Sequence, residues 1–543
     1  MRHCRFLLLA TLLGVLPGEG QKRPLTHADY DGWKSISAQR ISPNGRYVAY
    51  GVFPQVGDGE VVIHDLSPGA DIVRETAGAR PAPAPPDPEA SENAAPQQRS
   101  VSIQFTADSQ YCVFTVFPAK AATDAARRAR KRPDEMPKGG LVIVELATKQ
   151  ITRISDVKGF QLAADDATWL AYHKEAIPEA PRAEPAKTSE PADEEEDQQR
   201  RGGGGGGAVA ARSGANQTGS PLVLRRLKDG SERTFADAAE YSLAKDGQSL
   251  AYLVASKQSE KNGAYLLVTA GSAEPVAMLA GKGRYARLTW DDAQRRIAFL
   301  STKDDAASRQ PRAKLYLAER ANPAMATAAD TSALPAGLVI SERAALDFSR
   351  DGGRVFFGVA KPAESARRND DPVAADEKAV YDLWHHGDDF IQPMQRSRAG
   401  QERNRSYRAA YALNEKKTVV LADAAMPEIS LPEEGRFGFG SDDRAYRRMV
   451  EYDRRYADIY AVNLATGERK QVARQQAGTM IWSPSGSHAL HFDGQNWNAV
   501  AAESGERVNL TRQLAVKFFN EEDDHPDTPP AYGLGGWVKD GRS

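Results

Sequence analysis

Ile41-Ser42-Pro43-Asn44-Gly45-Arg46-Tyr47-Val48-Ala49-Tyr50 reads as a tight turn that leads straight into a strand. Pro43 fixes φ at the second turn position, Asn44 tolerates the third, and Gly45 takes the positive-φ position that follows. Residues 47–50 are apolar throughout, as suits a sheet covered on both faces. The phrase recurs as Phe348-Ser349-Arg350-Asp351-Gly352-Gly353-Arg354-Val355-Phe356-Phe357, and further copies begin near Phe105, Leu162, Leu243, Trp290, Phe439 and Trp482. A ninth opens at Trp537-Val538-Lys539-Asp540-Gly541, close to the last residue.

Most copies are followed by an apolar run that closes on a second polar turn. Examples are Leu141-Val142-Ile143-Val144-Glu145-Leu146 before Ala147-Thr148-Lys149, and Ile459-Tyr460-Ala461-Val462-Asn463-Leu464 before Ala465-Thr466-Gly467. Two hairpins per repeat give four strands, the unit of a propeller blade. Copies start roughly 40 to 90 residues apart, against about 40–50 for a compact blade, and the long gaps hold polar inserts. The expectation is an all-β propeller of seven or eight four-stranded blades over residues 21–543. The chain is expected to end within a blade, leaving the last one incomplete. The inserts are expected to be flexible loops at about 79–98, 120–138, 178–214 and 364–377.

Among these inserts, residues 120–138 carry Arg127, Arg128, Arg130, Lys131 and Arg132, read as solvated rather than as a nucleic-acid arm. Residues 202–207 are six glycines. No strand precedes them and no Lys-Ser/Thr pair follows, so they read as linker and not as a phosphate cradle.

Lys and Arg number 71 against 73 Asp and Glu, a net charge of −2, which leaves no strong electrostatic case, over the chain as a whole, for nucleic acid or an anionic membrane. Arg2 and Arg5 precede a short apolar run at residues 6–15, with Gly18 and Gly20 before Gln21. This predicts a signal peptide at residues 1–20, a periplasmic or secreted protein, and no integral membrane segment once the signal is removed. Cys4 would leave with it, and the remaining Cys112 reads as a small buried hydrophobe within a strand.

The chain contains no Gly-x-Ser-x-Gly elbow. The nearest stretch, Gly247-Gln248-Ser249-Leu250-Ala251, falls in a blade repeat and reads as strand. His385-His386 with Asp388 and Asp389 is the densest histidine cluster, read as a polar loop after a strand at residues 380–384. Neighbouring strand residues point to opposite faces and cannot readily share an ion. His488 and His491 read as ordinary strand residues, and Glu521-Glu522-Asp523-Asp524 before His525 as an acidic loop without calcium-loop spacing. No catalytic, cofactor-binding or metal residue is assigned, and no cofactor is expected.

Two segments carry a likeness beyond repeat grammar. Pro24-Leu25-Thr26-His27-Ala28-Asp29-Tyr30-Asp31-Gly32-Trp33-Lys34-Ser35 and Asp382-Leu383-Trp384-His385-His386, leading to Ile391-Gln392-Pro393-Met394-Gln395, resemble exported bacterial serine peptidases of the prolyl oligopeptidase family. In these relatives an aromatic and a Lys usually follow the first His, where this chain has His386-Gly387. The resemblance implies a propeller that gates access to a C-terminal α/β-hydrolase domain with a Ser-Asp-His triad. That domain would lie beyond Ser543, so no triad residue is carried over and the chain alone is expected to be inactive. Peptides are the expected partners if it is joined to a hydrolase domain, with no nucleic acid. The alternative is a stand-alone exported propeller that binds a protein or a cell-envelope ligand.

Overall fold

A computed structural model describes residues 25–69, 72–81, 99–176, 218–362, 383–478, 480–525 and 528–538. The signal stretch, most of the inserts at 79–98 and 178–214, all of 364–377 and the end of the ninth phrase lie outside these residues. Thr26 opens the described chain with a capping box to Asp29 and starts a short helix, α1 (His27–Asp31). Trp33 then packs edge-on against Tyr30 and leads into the first strand, Lys34–Ile41.

The fold is a β-propeller built from antiparallel strands in seven sheets. Six sheets each hold one four-stranded unit, one of them with its first strand split into Val339–Ser341 and Asp347–Phe348. The seventh holds two units that share one long strand, Glu232–Leu243. The first part of this strand pairs with Ser220–Arg226, and the part after Ala238 pairs with Ser249–Val254. Asp237, at φ +54°, marks the pivot. The count is therefore eight blades. Blade 1 begins at Lys34, and blade 8 ends with Arg507–Asn509.

Successive blades pack apolar faces against one another. Phe53 and Ile63 of blade 1 meet Cys112 and Phe114 of blade 2. Ala298 and Leu300 of blade 5 meet Val355 and Phe357 of blade 6. Phe53, Phe114, Phe299 and Phe357 are fully buried, each contributing about 2–3 kcal/mol of apolar transfer. The strand Arg354–Ala360 is buried on both faces, as its sequence predicts. Tyr47–Pro54 in blade 1 alternates buried and half-buried positions, and its buried Tyr47, Ala49 and Phe53 pack with residues of blade 2.

Three local readings change. The phrase placed at Phe439 lies inside the second strand of blade 7, Phe437–Asp442. The turn itself is 431–436, where Pro432 and Gly435 stand without an Asp or Asn between them. Residues 120–138, expected as a loop, include a helix, α2 (Lys120–Arg128), because an Ala-rich run favours helix once Ala126 is buried. Residues 380–382 lie outside the described chain, but Leu383 and Trp384 are exposed and outside any strand. They lead instead to a third helix, α3 (Gln392–Arg403), with Pro393 in its first turn.

Candidate functional site

The recurring turn organises one end of the propeller. Its opening hydroxyl does two jobs in the same way in three blades. Ser42, Thr106 and Ser349 donate to Asn44, Asp108 and Asp351 at 2.6–2.7 Å. Each hydroxyl also accepts from the backbone N–H five residues on, at Tyr47, Tyr111 and Arg354. Ser483 holds His488 N–H likewise in blade 8. In blade 5 the fully buried Asp291 replaces the hydroxyl and takes the N–H groups of Arg295 and Arg296. Gly45, Gly247, Gly352 and Gly486 occupy the positive-φ position, while Ser109 and Gln294 bear the strain in blades 2 and 5.

These turns form a rim by bonding to one another across blades. Asn44 N–H donates to the Ser109 hydroxyl, and Asp165 N–H to the Lys245 carbonyl. Lys245 N–H donates to the Gln294 side chain, Arg350 N–H to the Glu433 carbonyl, and Glu434 N–H to the Pro484 carbonyl. Behind the rim, the first strands are tied side chain to backbone. Leu243 N–H donates to Gln161, Leu288 N–H to Glu240, and Arg287 to the carbonyls of Glu342 and Arg343.

A cavity of about 700 Å³ opens among the turns of blades 4 to 7 and strand residues of blades 5 and 6. Trp290 and Phe356 give it aromatic walls, and ion pairs of both signs border it. Lys245 meets Asp292 at 2.5 Å, Arg350 meets Glu433 at 2.7 Å, and Arg408 meets Asp347 at 2.8 Å. Trp290 is held by the Arg320 guanidinium over its ring, and Arg320 also grips Asp246. Lys245 holds the Asp292 carboxyl below its usual range, and Arg320 does the same for Asp246. The lining therefore offers aromatic surface and charges of both signs that are already paired with one another. Ser349, the hydroxyl in the wall, is committed to its own turn and lowers the Asp351 carboxyl by bonding to it.

The residues singled out in the sequence fall elsewhere. Ser249 is buried in a strand and accepts from Arg320. His385 and His386 touch ring to ring, and Asp388 accepts from the His385 N–H and from Gln395. Asp389 pairs with Arg447. Arg398 and Arg447 bracket Phe390, docking this segment on blade 7. His488 lies exposed on its strand, while His491 is buried. Among the described residues, the one group of metal-capable side chains with converging ligand atoms is Asp523, Asp524 and His525, at the surface. Its His525 Nδ1 is already 2.5 Å from Asp523. Cys112 is buried and free, its thiol pushed far above the usual range by burial.

Sequence reading missed a buried serine–histidine contact in blade 3. Ser220 Oγ lies 3.0 Å from His173 Nε2, and Ser220 is 2% exposed. The direction of the bonds excludes a nucleophile. His173 Nε2 faces the carbonyls of Ala238 and Ser220 at 2.8 and 3.1 Å, so it must carry the proton. The Ser220 hydroxyl gives its own proton to the Lys174 carbonyl and accepts from Lys158. Burial, then Lys158, depresses His173, which keeps it neutral. The pair pins the shared strand at its pivot. Only the pairing of strands 46 residues or more apart brings these groups together, so no local motif announces them.

No family model matches this chain, and no curated protein matches it. Solved structures with similar folds include a prolyl endopeptidase, at 11% identity over 86% of this chain and 54% of that one, TM-score 0.34. A eukaryotic initiation factor is 10% identical over 88% of both chains, TM-score 0.39. The β-propeller domain of the Trilobed protease from Pyrococcus furiosus is 9% identical over 82% of this chain and all of that domain, TM-score 0.30. The chain thus spans about half the length of the prolyl endopeptidase. These likenesses concern the fold and assign no activity.

Proposed function

We propose that this chain is the substrate-gating propeller of an exported serine peptidase of the prolyl oligopeptidase family and carries no nucleophile of its own. The observation that carries the reading is the rim cavity of blades 4 to 7. It joins aromatic walls to ion pairs among turns that are in part bonded to one another. Such a mouth accepts an extended peptide and turns away a folded protein by size. The two segments that resemble the family, 24–35 and 382–395, support the same reading. In this reading the Ser-Asp-His triad belongs to a hydrolase domain outside these 543 residues. The test is to incubate the purified chain with prolyl and aminoacyl chromogenic peptides and with a serine-reactive phosphonate. The expected result is background turnover and no labelled serine, with a photoreactive proline-containing peptide attaching at the rim. Sustained turnover, or phosphonate on a discrete serine, overturns the proposal.

A further inference from the structure

Helix α2 projects from blade 2 between its second and third strands, Tyr111–Val116 and Gly140–Glu145. Its end is a complete Schellman motif: Arg130 N–H reaches the Arg127 carbonyl, and Lys131 N–H the Ala126 carbonyl. The residue at the left-handed position is Arg130, at φ +50°, where glycine is the unstrained choice. The motif displays Arg127, Arg128, Arg130 and Lys131 side by side, all exposed. The neighbouring cations are neutralised within the segment, Lys120 by Asp124 and Arg132 by Asp134 and Glu135. The four at the helix end have no ion pair among the described residues. These four exposed cations share the helix end, with the Asp124 carboxylate close enough to feel Arg127 and Arg128.

We propose that this helix end docks the propeller on an anionic lipid surface. Four exposed cations on one projection suit the smeared negative charge of such a surface, to which each adds about 1 kcal/mol. The exposed face offers no aromatic ring on which a nucleobase could stack. Helices that insert into bilayers pair their cations with a bulky apolar face. Here the rest of the helix is alanine with Lys120, Thr123 and Asp124, without a bulky apolar side chain, so the attachment is electrostatic and salt-sensitive.

The test is co-sedimentation of the full chain with vesicles of phosphatidylcholine alone or with about one-third phosphatidylglycerol. Binding is expected only to the anionic vesicles, and to disappear at about 1 M salt. Arg127→Ala/Arg128→Ala should weaken partitioning about thirtyfold, and Arg130→Gly about fivefold. Arg130→Gly also separates docking from folding, because glycine relieves the backbone and should hold or raise the unfolding midpoint. Equal sedimentation with both vesicle types, unchanged binding by the double variant, or binding to duplex DNA in place of vesicles overturns the proposal. So does an Arg130→Gly chain that binds normally but melts earlier.

Discussion

The rings of Phe439 and Trp482 lie face to face, 3.4 Å between centroids and 4° from parallel. They join the second strand of blade 7 to the first strand of blade 8, against Ala461 and Ala502. Removing the indole takes away both the stack and the cover over these alanines. Trp482→Ala should cost about 3 kcal/mol in urea unfolding. The lost amide protection should concentrate in residues 481–509. Uniform loss across the chain would show that blade 8 is not held by this contact.

Glycine at the rim serves two purposes, and a pair of substitutions separates them. A Cβ on Gly45 meets nothing, so Gly45→Ala carries only the strain of φ +71°, about 1 kcal/mol. A Cβ on Gly435 would collide with the Ser485 carbonyl of blade 8, and φ is +123°. Gly435→Ala should cost at least about 3 kcal/mol. Equal melting of the two variants would mean that the turns of blades 7 and 8 do not touch.

Acid should loosen the propeller through two histidines. Burial depresses His173 and His491, and both ring nitrogens of the 2%-exposed His491 lack a hydrogen-bond partner. Arg507 depresses His491 further, and Asp493 opposes this. A folded-state value below the ordinary 6.5 means that the unfolded chain binds protons first as pH falls. The stabilisation is therefore complete above about pH 6.5 and declines below it. The urea midpoint should fall from neutral pH towards pH 5. His491→Leu should reduce that slope, and an unchanged slope would remove His491 from the explanation.

Cys112 should be silent to thiol reagents in the folded chain and react on unfolding, since it is enclosed between blades 1 and 2. Iodoacetamide labelling with and without urea measures this. Prompt labelling of the native chain would place Cys112 at the surface.

The repeat was legible because its turn is solved locally. A hydroxyl, an Asp or Asn two residues on, and a glycine satisfy one another within six residues, as the Ser349 hydroxyl does with Asp351 and the Gly352 N–H with the Ser349 carbonyl. Blade 7 was misplaced because its turn uses Pro432 and Gly435 without that pair, while Ser441 and Asp442 imitate it one strand later. The cavity was not legible. Its ion pairs join residues 47 and 83 positions apart, Lys245 with Asp292 and Arg350 with Glu433, and only stacking of blades brings them together. Helix α2 was missed because its charge density resembles a solvated loop, whereas the burial of Ala126 and the Schellman end are tertiary facts.

Peptide-resolved amide hydrogen exchange tests the eight-blade arrangement most directly. The second and third strands of every blade are flanked on both sides, so slow exchange should recur as eight separated maxima. These should include 47–65, 249–268, 354–360 with 407–412, and 488–501. The shared strand Glu232–Leu243, paired on one side in each half, should show intermediate protection between the maxima of blades 3 and 4. A single continuous protected block, or fast exchange through the middle of that strand, would contradict the account.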